Sequence, residues 1–134
     1  MKRRSNDALY FTDDLIRKVS EGRSLKLWDC VNLFFPKETN QKQFDCAFKF
    51  LQALEKQGSM LNTEALGLFD SRNECLMFVG NVVPKLKKFG LLESDGNGGS
   101  KKYSLRFGEG FSKLFRDLGL DLYGFYARHV NERK

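Results

Sequence analysis

Apolar residues recur at helical spacing along most of the chain, and each run is bounded by a capping residue, a glycine or a proline. Thr12 is placed to cap a short helix near 13 to 21. Asp13 and Asp14 stand in its first turn, Phe11 and Ile16 at the positions of a hydrophobic staple, and Gly22 at its end. Ser24 is expected to cap a second helix with Leu25, Trp28, Val31 and Phe35 on one side, halted by Pro36. Asn40 and Gln43 have capping-box spacing ahead of a helix over 41 to 57, where Phe44, Ala47, Phe48, Leu51 and Leu54 make one face before Gly58. A short helix over 63 to 69 turns Ala65, Leu66 and Phe69 inward. Ser71 and Glu74 form another capping box, opening a helix over 72 to 89 with Cys75, Val79, Val82, Leu86 and Phe89 as its buried seam.

The period then changes. Leu91, Leu92 and Glu93 lead into Asp95-Gly96-Asn97-Gly98-Gly99, too rich in glycine for a helix, after which Tyr103, Leu105 and Phe107 alternate with Ser104 and Arg106. This predicts a β-hairpin over 91 to 107. From Phe111 the helical period returns, with Phe111, Phe115, Leu118, Leu122, Phe125 and His129 in a heptad-like seam weakened by Gly119 and Gly124. The seam is either an interface for a second copy or another partner, or packing against the N-terminal helices. The pattern therefore predicts an α+β, mostly helical chain with a two-stranded hairpin. Its parts are a basic arm and two helices over 1–40, a core over 41–107 and a C-terminal helix or helices over 108–134.

Pro84 interrupts the helix over 72 to 89. In a regular helix it removes a hydrogen bond and presses on the Gly80 carbonyl, at a cost of ~3 kcal/mol. Two outcomes are open: a kink eased by Gly80, or a separate short helix capped by Asn81 with Pro84 in its first turn.

The 134 residues suffice for one domain, and 41% hydrophobic residues with thirteen Phe give it the material for a core. The formal charge of +6 is concentrated: Lys85, Lys87, Lys88, Lys101, Lys102 and Arg106 face only Glu93 and Asp95 between residues 81 and 106, and Lys2, Arg3 and Arg4 add a second cluster. Such asymmetry suits a polyanion such as nucleic acid, an acidic protein or an anionic membrane surface, or else forms a solvated lysine face. Cys30, Cys46 and Cys75 are odd in number and widely spaced, which reads as reduced core thiols of a cytosolic protein.

No zinc-finger spacing occurs and His129 is the single histidine, so neither a metal nor a cofactor is expected. Asp13 and Asp14 read as helix-start charges, Gly96 to Gly99 lacks the helix opening of a phosphate loop, and no catalytic residue is expected. No apolar run follows Met1 to Arg4 as in a signal peptide, and none approaches the ~20 residues of a membrane span. The cytoplasm, or the nucleus of a eukaryote, is the expected location.

Two resemblances sharpen this picture. Lys85-Leu86-Lys87-Lys88-Phe89-Gly90-Leu91-Leu92-Glu93 resembles the end of a recognition helix in the winged helix-turn-helix superfamily. Tyr103-Ser104-Leu105 followed by Glu109-Gly110-Phe111 resembles the second wing strand and following helix of MarR-like regulators. The likeness covers roughly residues 41 to 112, and it implies double-stranded DNA as partner and a role in transcription regulation. The side chains opposite the predicted seam, Arg72, Asn73, Met77, Asn81, Lys85 and Lys88, would then enter the major groove. Arg72 and Asn73 suit guanine and adenine edges, and Lys85 and Lys88 suit phosphates. Asn97, Lys101, Lys102 and Arg106 would act from the wing. Phe111, Phe115, Leu118, Leu122 and Phe125 would join two copies in a homodimer, or serve a winged helix used for protein assembly. Residues 25 to 69, notably Phe50-Leu51-Gln52-Ala53-Leu54-Glu55-Lys56-Gln57-Gly58 with Leu61 and Leu66, are also similar to the middle helices of death-effector adaptors. That six-helix fold has no strand near 101–107, and its Arg-x-Asp-Leu signature has no counterpart after Val79.

Overall fold

The computed structural model describes residues 8–95 and 102–132. Its helices are α1 (Asp13–Ser20), α2 (Leu27–Phe34), α3 (Gln41–Gln57), α4 (Asn62–Leu66), α5 (Arg72–Met77), α6 (Val83–Lys88) and α7 (Gly110–Glu132); the strands are β1 (Ser59–Leu61), β2 (Leu92–Asp95) and β3 (Ser104–Phe107). The class is α+β and mostly helical.

Local chemistry explains most of the boundaries. The Thr12 hydroxyl accepts the Leu15 N–H at 3.2 Å, and Gly22 closes the segment in the left-handed region with φ 72°. Phe11 and Ile16, the residues of the expected staple, are both exposed, and Phe11 meets the edge of Phe115 at 6.4 Å. Nor does Ser24 cap α2. The helix starts after Lys26, whose N–H donates to the Asp29 carboxylate at 2.9 Å, so Leu25 precedes the helix and stays exposed together with Trp28. At α3 the Asn40 amide donates to the Gln43 side chain at 2.7 Å rather than closing a capping box. The Ser71–Glu74 box is formed in both directions, Glu74 N–H to Ser71 Oγ at 3.1 Å and Ser71 N–H to the Glu74 carboxylate at 3.2 Å.

Three strands replace the expected two. β3 is central, with Met60 of β1 opposite Leu105 on one side and Glu93 of β2 opposite Arg106 on the other, all antiparallel, in the order β1-β3-β2. β1 is three residues long, too short to display a period of two, and it forms because β3 offers it a hydrogen-bonding edge. Asn62 fixes the junction: its N–H donates to the Tyr103 carbonyl at 2.8 Å and its side-chain oxygen accepts the Tyr103 N–H at 3.1 Å. α4 ends at Leu66, three residues short of its predicted end, yet Phe69 still packs inward. A central strand at Ser104–Phe107 counts against the six-helix alternative.

One hydrophobic cluster runs from Leu15 to Leu105 and includes Val31, Phe34, Phe35, Phe44, Phe50, Leu51, Leu54, Phe78 and Leu86. The N-terminal helices thus share their core with the segment after residue 40. Phe78 sits at its centre, 4.8 Å from the Phe50 ring and 5.2 Å from that of Phe69. Among the described residues no helix is long and apolar enough to cross a membrane.

Candidate nucleic-acid interface

The segment after the Ser71 cap is a single path of helix with a fault in it. α5 passes into a π turn over Phe78–Val82, in which the Val83 N–H reaches back five residues to the Phe78 carbonyl, before α6 resumes. Pro84 is the physical cause that the sequence supplies. It lacks the N–H that an α-helix would give to Gly80, and the widened turn places it as the second residue of α6, where that N–H is not required. Asn81 therefore lies inside the π turn and caps nothing.

The fault and the core together decide which face is free. Phe78, not Val79, takes the central core position, because the larger ring fills the space between Phe50 and Phe69. Val79 is 51% exposed, contrary to its place in the predicted seam, and the buried side is Phe78, Val82, Val83, Lys85 and Leu86. Arg72 and Asn73 lie on the exposed side as predicted, and Lys88 is exposed at the end of α6. Met77 and Asn81 are half-buried, Met77 against the core.

Lys85 is the clearest correction. It is 3% exposed, and its ammonium donates to the Phe34 carbonyl at 2.6 Å, with the rings of Tyr10 and Phe35 at 4.9 and 5.1 Å. Phe34 is the last residue of α2, whose terminal carbonyls have no partner within the helix, so the lysine acts as a remote cap and is withdrawn from any external phosphate.

In the wing, Asn97 and Lys101 lie outside the described residues. Lys102 is exposed ahead of β3. Arg106 is held across the sheet by Glu93 at 3.2 Å and Asp95 at 3.3 Å, a pairing set by the β2–β3 register. Lys87, which the face predicted from sequence omits, is exposed on α6, 6.0 Å from the Tyr103 ring. The exposed side of this region is thus Arg72, Asn73, Leu76 and Val79 along the helix, with Lys87, Lys88 and Lys102 at its far end.

α6 ends in a Schellman turn. The Leu91 N–H bonds to Leu86 and the Gly90 N–H to Lys87, with Gly90 at φ 82°. α7 then starts against Gly90. Phe111 is half-buried against Phe34 at 5.1 Å and Phe115 against Phe111 at 4.8 Å, whereas Leu118, Leu122 and Phe125 are exposed.

Elsewhere in the described residues, burial perturbs two thiols and one carboxyl. Burial pushes the Cys30 thiol up to about 11 and the Cys46 thiol up to about 12, which leaves little thiolate at neutral pH. Burial raises the Asp29 carboxyl, but the Lys18 ammonium at 2.7 Å and the Lys26 N–H outweigh it and hold the group below its ordinary value. Among the described residues no three His, Cys, Asp or Glu side chains gather as a metal-binding group. Comparison of the chain with protein-family models, with curated proteins and with solved structures finds no match in any of the three.

Proposed function

We propose that this protein is a winged helix-turn-helix module that binds double-stranded DNA and regulates transcription. The observation that carries the reading is the exposed side of α5, the π turn and α6, bearing Arg72 and Asn73 at its start and Lys87 and Lys88 at its end, next to Lys102 before β3. A helix inserted in the major groove needs side chains for base edges in front and cations for the flanking phosphates behind. The sequence of elements supports it too: a long helix, a short helix, a turn, a second helical segment and a hairpin, with β1 tying the hairpin back to the first two helices. Lys85 has no part in the contact, and Arg106 serves first to brace the hairpin.

Duplex affinity is expected to fall linearly on a log–log plot against salt, since each lysine–phosphate contact releases about 0.9 counterion. Replacing Lys87, Lys88 and Lys102 with Glu weakens binding to all sequences alike and flattens that slope. Fluorescence anisotropy across a salt series is the measurement, and unchanged affinity in the triple variant overturns the reading.

A second reading, of assembly, rests on its own observation. Beyond Phe115 the apolar side of α7 has no cover among the described residues: Leu118, Leu122, Phe125 and Tyr126 are all about half exposed or more. It continues from a groove of about 460 Å³ lined by Leu15, Ile16, Val19, Leu25, Phe111 and Phe115. A homodimer in which two α7 helices cover each other and this groove accounts for both features.

A further inference from the structure

The exposed side chains midway along this helical path are apolar, and they stand apart from the apolar groove of α1, α2 and α7. Leu76 and Val79 are 57% and 51% exposed, about one and two turns beyond Arg72 and Asn73. Next to them, a side chain at Gly80 would meet no other atom within 4 Å, so the backbone is bare on this face. Glu74, the acidic residue of α5, has its carboxylate turned back onto the Ser71 and Asp70 N–H groups at 3.2 Å. The face therefore carries exposed apolar side chains in its middle, Lys87 and Lys88 at its C-terminal end, and Arg72 beside Asp70 and Glu74 at its start. A partner complementary to it is anionic beyond the lysine end and offers apolar groups to Leu76 and Val79.

Building on the duplex-binding reading, we infer that Leu76 and Val79 recognise the C5-methyl groups of thymine, so that the sequence bound carries thymine at the base pairs facing the middle of the helix. In the major groove the thymine methyl is the single apolar group that any base pair offers. Leucine and valine neither donate nor accept hydrogen bonds, so they favour that methyl and penalise the polar edge of cytosine or guanine, which would lose water without gaining a partner. Asn73, one turn earlier, has the chemistry for the adenine edge, and together the three side chains favour A·T pairs. The same logic predicts preference for DNA over duplex RNA, whose uracil lacks the methyl and whose major groove is too narrow for side chains to read.

The test uses the full chain and a preferred duplex selected from a random-sequence pool. In that duplex each thymine is replaced in turn by uracil, which keeps base pairing and removes only the methyl. Burial of one methyl-sized group is worth ~0.8 kcal/mol, so affinity should fall about four-fold at each contacted thymine and not at all elsewhere. Leu76→Ala and Val79→Ala should each lose the discrimination at one of those thymines while keeping the salt slope. Both residues are exposed, and an unchanged urea midpoint establishes that the variants are folded. Equal affinity for thymine and uracil duplexes at every position, with binding otherwise intact, overturns this inference alone. Absence of any salt-sensitive duplex binding overturns the underlying reading with it. A change of oligomeric state in the two variants, with duplex affinity and thymine discrimination retained, overturns the inference and assigns the face to a protein partner.

Discussion

Lys85 shows how a single side chain can reverse its apparent role between sequence and structure. By charge it belongs with Lys87 and Lys88 as a surface cation, but its ammonium lies among the carbonyl of Phe34 and the rings of Tyr10 and Phe35. A buried charge persists where hydrogen bonds satisfy it, and the C-terminal carbonyl of α2 would lack a partner without it. Lys85→Ala should therefore cost about 2–3 kcal/mol in urea denaturation, the loss of a charged hydrogen bond plus the packing of the side-chain stem. Its duplex affinity per folded molecule should stay at the wild-type value. The opposite pattern, lost affinity with unchanged stability, would return Lys85 to the surface. The sequence could not reveal this residue, because the rings and carbonyl that receive the ammonium belong to segments some fifty residues or more upstream.

The element that governs the candidate interface is the helical path from Arg72 to Lys88, and its two irregularities have different standing. The π turn is visible in the sequence as a conflict, a proline where an i to i−4 bond is due, but its resolution depends on Phe78 reaching Phe50 and Phe69. The end of the path is local: Gly90 adopts φ 82° and completes the Schellman turn. That glycine also lets α7 approach, since a side chain there would come within 2.7 Å of the Gly110 carbonyl carbon. Gly90→Ala should accordingly destabilise the fold by at least about 2 kcal/mol, from left-handed backbone strain and overpacking, read as a lowered urea midpoint. A variant of wild-type stability would show that α7 is free to move away from this turn.

At the scale of the molecule, the chain has two unlike surfaces. One is the basic and apolar side of α5 to α6 with Lys102; the other is the apolar groove of α1 and α2 continued along α7. In a dimer joined through the second, two copies of the first would be fixed at a set spacing, as a two-fold DNA site requires. Light scattering should find a mass of two chains, and replacing both Leu122 and Phe125 with Glu should give a single-chain mass with unchanged helix content. A wild-type monomer at high micromolar concentration would sink the assembly reading and leave the proposed DNA contact standing.

What the sequence by itself determined was local. The positions of the capped helix starts at Thr12 and Ser71, the glycine stops at 22 and 58, the strands of the hairpin over 91 to 107 and the return to helix from Phe111 all follow from hydrogen bonds and dihedral preferences within a few residues. What only the tertiary structure decided were the faces and pairings: the third strand, the withdrawal of Lys85, the clasp of Arg106 by Glu93 and Asp95, and the exposure of Leu76 and Val79. Each of these depends on which distant group competes for the same space or the same hydrogen bond, and periodicity along the chain carries no record of that competition.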